Sequence, residues 1–161
     1  MSDKGKPVKL TIVKAPAKIL RAICRPIDKF DGNLRSLAAG MFDLLNRETN
    51  PKGIGLAANQ VGQAVRLITI HVPGFHPVAM CNPEIEWAKG EDNGLEMCLS
   101  EPGAKVWIKR ASKIKVKYQD LDGNPQSLTA RDLFARCIQH ELDHLEGRLI
   151  SDYLADGYEP R

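Results

Sequence analysis

The chain has 161 residues, of which 43% are hydrophobic, 27% charged and 6% aromatic, and Lys and Arg outnumber Asp and Glu by 23 to 20. This composition is typical of a globular protein and excludes the disordered, collagen-like and coiled-coil classes. A net charge of +3 is too small for a dedicated nucleic-acid binder. We therefore expect one domain over residues 1–161, without direct nucleic-acid binding.

The sequence indicates neither secretion nor insertion into a membrane. The first ten residues, MSDKGKPVKL, contain lysines but are not followed by an apolar stretch, and no run of about 18 apolar residues occurs. The four cysteines lie far apart and form no C-x-x-C pair, so they do not suggest a disulfide framework. We expect a reducing cytoplasm, in which each thiol is either buried or part of the chemistry.

The first predicted element is an amphipathic helix over residues 31–50. Apolar residues recur with helical spacing from Leu34 to Leu45, Asp31 or Asn33 can cap the helix, and Asn50-Pro51 ends it. Strands follow, and their connections are too short for crossover helices, so most of them should be antiparallel. The predicted strands cover residues 65–72, 78–81, 84–87, 95–99, 106–108 and 113–118, with a turn at Asp122-Gly123 after the last.

A second helix is predicted to begin at a cap on Thr129, with Asp132 three residues later, and to end at Gly147. Two helices that flank a group of strands indicate the α+β class. The expected architecture is one of mostly antiparallel strands packed around this second helix.

The second helix contains the sequence H-E-x-x-H, formed by His140, Glu141 and His144. One helical turn separates the two histidines, so both imidazoles can bind the same metal ion. A carboxylate at Glu141 can then act as a general acid and base toward a water on that metal. The alternative, a solvated helix face with this pattern by chance, is expected in about one chain in a few hundred of this length.

A catalytic metal with two histidine ligands needs a third protein ligand and an open position. Cys98 is the favoured candidate, because it lies at the end of a predicted strand and a thiolate binds Zn²⁺ or Fe²⁺ strongly. A buried, inert thiol is the alternative. The remaining histidines, His71 and His76, lie far upstream, and the only acidic residues downstream that could reach back are Asp152 and Asp156.

Three separated segments resemble the motifs of the peptide deformylases, and they occur in the family's order. They are GIGLAANQ at residues 53–60, EMCLS at 96–100, where the family usually has E-G-C-L-S, and QHELDH at 139–144. Weaker resemblance runs from about residue 16 to about residue 154. The chain is thus identified as a divergent member of this family.

The resemblance implies removal of the N-formyl group from the N-terminal formylmethionine of newly synthesised peptides, with release of formate. It implies one divalent metal ion on Cys98, His140 and His144, with Fe²⁺ as the physiological ion and Zn²⁺, Ni²⁺ or Co²⁺ as alternatives. The implied partners are N-formylmethionyl peptides and nascent chains at the ribosome. The implied protein is a monomer of the bacterial cytoplasm that does not bind membranes.

The resemblance also assigns roles to residues. Glu141 would be the general base and acid, while the side-chain amide of Gln60 and the backbone N–H of Leu99 would meet the developing oxyanion. The substrate would contact Gly53, Ile54, Gly55, Met97 and Cys137. The two glycines, which lack Cβ, would allow a peptide to pair with the backbone. The alternative for the glycines is a plain turn, and the alternative for Cys137 is an inert thiol of the core.

The chain departs from the family pattern at several positions. Met97 replaces a glycine, so its side chain narrows the groove or its backbone cannot adopt a conformation reserved for glycine. Glu101 adds a negative charge beside the site, and the chain ends soon after the helix that contains His140 and His144. These departures leave two alternatives, a paralogue with altered N-acyl-peptide specificity and a silent binder of peptides or of the ribosome. Glu96 and Arg110 could form the ion pair that supports the cysteine strand in the family, or be unrelated surface charges.

Overall fold

The structure, a computed structural model, describes residues 5–48 and 52–154. It belongs to the predicted α+β class, and all pairs between its named strands are antiparallel. The elements in chain order are α1 (Gly32–Arg47), β1 (Gly55–Ala57), β2 (Leu67–Ile70), β3 (Val78–Lys89), β4 (Asp92–Cys98), β5 (Glu101–Arg110), β6 (Lys113–Gln119), β7 (Pro125–Arg131) and α2 (Asp132–Leu145). Three short 3-10 helices are added at Lys18–Arg21, Ala58–Val61 and Ile150–Leu154.

The strands form two separate sheets. Five of them pair in the order β1-β2-β3-β6-β7, whereas β4 and β5 form a hairpin that pairs with no other strand of the described chain. Because β1 is at the edge of its sheet, both β1 and β4 have one edge free of strand partners. The two sheets are therefore held together by side chains and not by a shared ladder.

Helix α2 lies at the centre of the molecule, as predicted. Its apolar face, including Phe134, Ile138 and Leu145, is buried in one core cluster with side chains of the five-stranded sheet such as Ile68 and Ile114. Helix α1 contributes to a second cluster on β1 and β2, and a third cluster lies under the β4-β5 hairpin. The helix with the H-E-x-x-H sequence is thus fixed by the main core.

The ends of α1 follow from local chemistry. The Asp31 side chain accepts a hydrogen bond of 3.1 Å from the Leu34 backbone N–H, so the predicted cap at Asp31 is confirmed and the alternative, Asn33, lies inside the helix. The helix ends at Arg47. The predicted stop at Asn50-Pro51 lies outside the described residues.

The predicted cap of α2 at Thr129 is wrong. Thr129 lies in β7, where it pairs with Lys115 of β6, so its backbone is committed to a ladder. The helix begins at Asp132 after Arg131, whose side chain makes no capping hydrogen bond. The predicted end is confirmed, because Gly147 adopts a left-handed conformation with φ of 75° just after the helix.

The structure contains two strands, β1 and β7, that were not predicted, and it has one strand where two were predicted. The expected strands at 78–81 and 84–87 form a single strand, β3, which passes through Pro83 with a register shift between Cys81 and Glu84. A proline is tolerated there because the irregular ladder does not require its missing N–H. No helix of the described part of the chain is long and apolar enough to cross a membrane.

Candidate active site

Three potential metal ligands converge where the β4-β5 hairpin meets α2. The Nε2 atoms of His140 and His144 lie 3.3 Å apart, and the Sγ of Cys98 lies 3.4 Å from Nε2 of His144. All three ligand atoms fall within 4.8 Å of one another. Cys98 is the last residue of β4, so the two histidines and the thiol come from elements that share no backbone pairing.

The donor set fits a tetrahedral divalent metal. Typical zinc bond lengths predict about 3.3 Å between two nitrogen ligands and about 3.6 Å between a nitrogen and a sulfur ligand. The measured separations of 3.3 Å and 3.4 Å agree with these values. Burial lowers the pKa of His144 well below its ordinary value, which favours the neutral ring that a metal ligand needs. For His140, burial also lowers the pKa, but the charge of Glu141 and the contacts with Cys98 and Glu96 outweigh it and raise the pKa, so a metal ion would have to displace that proton. The residues present are therefore suited to hold the ion.

Glu141 lies beside this cluster and is almost fully buried. Burial raises its pKa to about 7. Its Oε1 has no hydrogen-bond partner among the described residues, and its Oε2 lies against Gly55, where a Cβ would stand only 2.6 Å from it. The carboxyl group thus presents a free oxygen in an environment that allows it to gain or lose a proton near neutral pH.

The side chain of Gln60 is held at both ends. Its Oε1 accepts a 3.0 Å hydrogen bond from the Ala57 N–H, and its Nε2 donates to the Ser100 hydroxyl at 3.1 Å. The same Nε2 lies 3.7 Å from the Sγ of Cys98. The amide is therefore a fixed donor next to the potential metal ligands, and Ser100 supports it in a way that the sequence did not predict.

A second buried carboxylate, Glu96, links the hairpin to α2. It accepts two hydrogen bonds of 2.8 Å from Arg110, one of 2.7 Å from Arg136, and lies 2.8 Å from Nδ1 of His140. Burial alone would raise its pKa, but the bonds from Arg110 and His140 outweigh burial and hold the pKa well below its usual range. The predicted Glu96–Arg110 ion pair is thus present, and Glu96 orients the ring of His140, a potential metal ligand.

Arg136 was not predicted to belong to the site. Besides Glu96, its guanidinium binds the carbonyl oxygens of Ile108 at 2.9 Å and Asp92 at 2.7 Å, so it connects α2 to both strands of the hairpin. Arg136 lies one helical turn before His140 on the buried face of α2, and this spacing could have identified it from the sequence. Arg110 extends the network through Asp143, which also accepts a 2.6 Å hydrogen bond from Tyr153.

A pocket opens from these residues between the free edges of β1 and β4. All the predicted site residues except His144 line it: Gly53, Ile54, Gly55, Gln60, Met97, Cys98, Leu99, Cys137, His140 and Glu141. Cys137 is buried in the wall and its thiol donates to the Ile54 carbonyl at 3.5 Å. Burial raises its pKa well above the ordinary value, so the thiol is neutral and weakly polar.

The two departures from the family pattern at Met97 and Glu101 differ in their relation to the pocket. Met97 does not adopt a conformation reserved for glycine, because Asn82 and Asp132 are the only non-glycine residues with positive φ in the described chain. The prediction of a strained backbone at Met97 is therefore wrong, and the prediction that its side chain narrows the groove stays. Glu101 accepts a 3.3 Å hydrogen bond from the Ser151 N–H and does not line the pocket.

The other acids and histidines that were candidate ligands do not join the cluster where the structure describes them. Asp152 pairs with Arg21 at 2.7 Å, and His71 lies 3.2 Å from Asn46. His76 is exposed. Asp156 lies outside the described residues.

Comparisons with known proteins agree with this geometry. The family model described as polypeptide deformylase matches residues 9–159. The peptide deformylase of Bartonella tribocorum is 39% identical over 152 residues, which cover 90% of this chain and 84% of that protein.

Solved structures of peptide deformylases share the fold. That of Legionella pneumophila has a TM-score of 0.85 and 38% identity, covering 92% of this chain and 88% of that one. The class I type b enzyme of Acinetobacter baumannii with Met-Ala-Ser bound has a TM-score of 0.83 and 32% identity, covering 90% and 98%. The chain therefore belongs to the peptide deformylase family, the metal-dependent hydrolases that remove the N-formyl group from newly synthesised peptides.

Proposed function

We propose that this chain hydrolyses the formyl amide of N-formylmethionyl peptides at one divalent metal ion held by Cys98, His140 and His144. The observation that carries this proposal is the convergence of the three ligand atoms within 4.8 Å, beside a buried carboxyl with a free oxygen. A thiolate with two imidazoles suits Fe²⁺, which we propose as the physiological ion, and also Zn²⁺, Ni²⁺ or Co²⁺. When bound, such an ion activates a water molecule and polarises the formyl carbonyl.

Glu141 moves the protons. Its free Oε1 accepts a proton from the attacking water and returns it to the peptide nitrogen as the formyl C–N bond breaks, so that formate and a free amine leave. A carboxyl group with a pKa of about 7 can perform both steps at neutral pH. Attack by water places negative charge on the formyl oxygen, and we assign its stabilisation to the amide of Gln60 and the backbone N–H of Leu99.

The peptide lies as an added strand between the two free strand edges. The Gly53–Ile54–Gly55 segment forms one side of the pocket and β4 the other, so both can offer backbone partners to an extended chain. The methionine side chain points toward the wall that contains Cys137 and Leu133. The Acinetobacter structure with Met-Ala-Ser, the peptide left after deformylation of formyl-Met-Ala-Ser, supports this class of ligand.

The proposal includes the setting of the reaction. Residues 1–161 form one catalytic domain, which acts as a monomer on nascent chains at the ribosome in the bacterial cytoplasm. The site supports a single domain, because its residues come from most of the length of the chain, from residue 53 to residue 144. Light scattering on the purified protein measures the monomer directly.

The test is formate release from formyl-Met-Ala-Ser by protein purified anaerobically with Fe²⁺ or reconstituted with Ni²⁺. We expect turnover in the wild type and a loss of about 10²- to 10⁴-fold in Glu141→Gln, with one metal ion per chain retained. Cys98→Ala should lose the metal as well. Full activity in Glu141→Gln would refute the assigned mechanism, and wild-type protein with one metal ion but no formate release would refute the function.

A further inference from the structure

Three large apolar side chains are exposed on the outer face of the β4-β5 hairpin. Leu95, Met97 and Trp107 are 46%, 47% and 65% exposed. Leu95 and Met97 alternate along β4 with the buried Glu96 and Cys98, and Trp107 of β5 is the register partner of Leu95. Directly opposed residues of a strand pair project from the same face, so the three side chains form one surface, here called the apolar platform.

The platform is continuous with the active site. Leu95 and Met97 line the pocket that contains Cys98 and Glu141, so the apolar surface begins where the substrate groove ends. Clustered exposed apolar side chains on a protein surface mark binding sites more often than isolated ones do. This position beside the groove indicates that the occupant is the substrate itself.

The pleat of a strand decides which part of the substrate reaches the platform. In an extended peptide paired with β4, successive side chains point to opposite faces. The methionine side chain enters the pocket on the inner face, where Glu96 and Cys98 project. The side chain of the second residue therefore lies on the outer face, where Leu95, Met97 and Trp107 are exposed.

We propose that the apolar platform makes this chain selective for formylmethionyl peptides whose second residue is large and apolar. The proposal rests on the proposed deformylation for its reaction and on the strand edge of β4 for its geometry. Met97 is the specificity residue closest to the metal ligand, since it directly precedes Cys98. The side chain that departs from the family motif thus adds a contact to the groove.

The kinetic test compares formyl-Met-Leu-Ser with formyl-Met-Asn-Ser, because leucine and asparagine have similar size but differ in polarity. We expect kcat/KM to be roughly tenfold higher for the leucine peptide, since about half of an apolar side chain is buried. Met97→Gln and Trp107→Thr should each reduce this ratio toward one. Ile85→Ala is the matched control, because Ile85 is 40% exposed on β3, away from the pocket, and the ratio should stay unchanged.

A binding measurement separates this proposal from the proposed reaction. Trp107 is one of only two tryptophans, and the other, Trp87, lies on β3, so fluorescence in a Trp87→Phe background reports on the platform. Met-Leu-Ser should change this emission and bind roughly tenfold more tightly than Met-Asn-Ser. Tighter binding of the leucine peptide without turnover would refute the reaction and retain the platform. If the enzyme turns over both peptides, and both kcat/KM and binding affinity differ by less than twofold between the leucine and the asparagine peptide, the proposed selectivity of the platform would be refuted.

Discussion

Gly55 is the position at which the smallest change should disturb catalysis most. A Cβ on Gly55 would stand 2.5 Å from the Sγ of Cys137 and 2.6 Å from Oε2 of Glu141. Both side chains are buried and line the pocket. Gly55→Ala therefore forces the Glu141 carboxyl group, the Cys137 thiol or the β1 backbone to shift.

The size of the shift follows from these distances. Carbon and its neighbours rest at roughly 3.5 Å, so relief of the clash requires a displacement on the order of 1 Å. A misplacement of about 1 Å in a catalytic group costs roughly 10²-fold in rate. Overpacking of a core adds a stability loss of about 1–3 kcal/mol. We expect kcat of Gly55→Ala to fall between 10- and 100-fold by order of magnitude, with the metal retained.

Gly53→Ala is the matched control, with the same substitution in the same segment. Its Cβ would meet the Cδ2 of Leu45 at 2.9 Å, so the strain falls on the α1 core and not on Glu141. The assay is formate release at saturating formyl-Met-Ala-Ser, with metal content and thermal unfolding measured for both variants. Equal losses of kcat in both variants, or more than half of wild-type kcat in Gly55→Ala, would show that Gly55 does not position the carboxyl group.

Two other predictions concern the link between α2 and the hairpin and a buried thiol of the core. Arg136→Met removes the charged link between α2 and the hairpin, so the free energy of unfolding should fall by about 3 kcal/mol and the metal should dissociate faster to a chelator; a loss below about 1 kcal/mol with an unchanged release rate would contradict this role. Cys81 is buried, and burial raises its pKa from 9.0 to about 12. Its protonated form is favoured by the fold, so the stability that it contributes is complete below pH 9 and is lost as pH rises toward 12; denaturant unfolding across this range should show a shallower decline for Cys81→Ala, and identical slopes would contradict it.

The parts of the fold that were predicted are those with local signals. Helix α1 has helical periodicity and the Asp31 cap, and α2 has a sharp end at Gly147, so short-range chemistry defines both. Strand β7 has no such signal, because only Ala130 of its residues is buried and the strand exists through its register with β6. The composition of a short polar segment does not encode its pairing with a distant strand. For this reason β7 was not predicted, and Thr129, which lies in β7, was wrongly predicted as a helix cap.

The residues of the candidate site also fall into those that local spacing predicts and those that only the folded chain brings together. The two histidines and Glu141 follow from spacing on one helix, whereas Cys98 required the resemblance of a separate motif to select it over a buried thiol. Arg136 was missed because a position on the buried face of a helix ordinarily takes an apolar residue. Its charge is tolerated there because Glu96 and two backbone carbonyl groups satisfy the guanidinium, and these partners become adjacent only in the folded chain.

The two buried carboxylates of the site, Glu96 and Glu141, have different surroundings, and the difference bears on the choice between a hydrolase and a silent binder. Glu96 is satisfied by Arg110, Arg136 and His140, so its burial is explained by the structure that it holds together. The Oε1 of Glu141 accepts no hydrogen bond from the described residues and lies 4.0 Å from Nε2 of His144. The absence of a Cβ at Gly55 leaves the space that this carboxyl group occupies. The proposed hydrolysis needs a carboxyl group that exchanges a proton beside the two histidines, and this placement of Glu141 favours it over a silent binder of peptides.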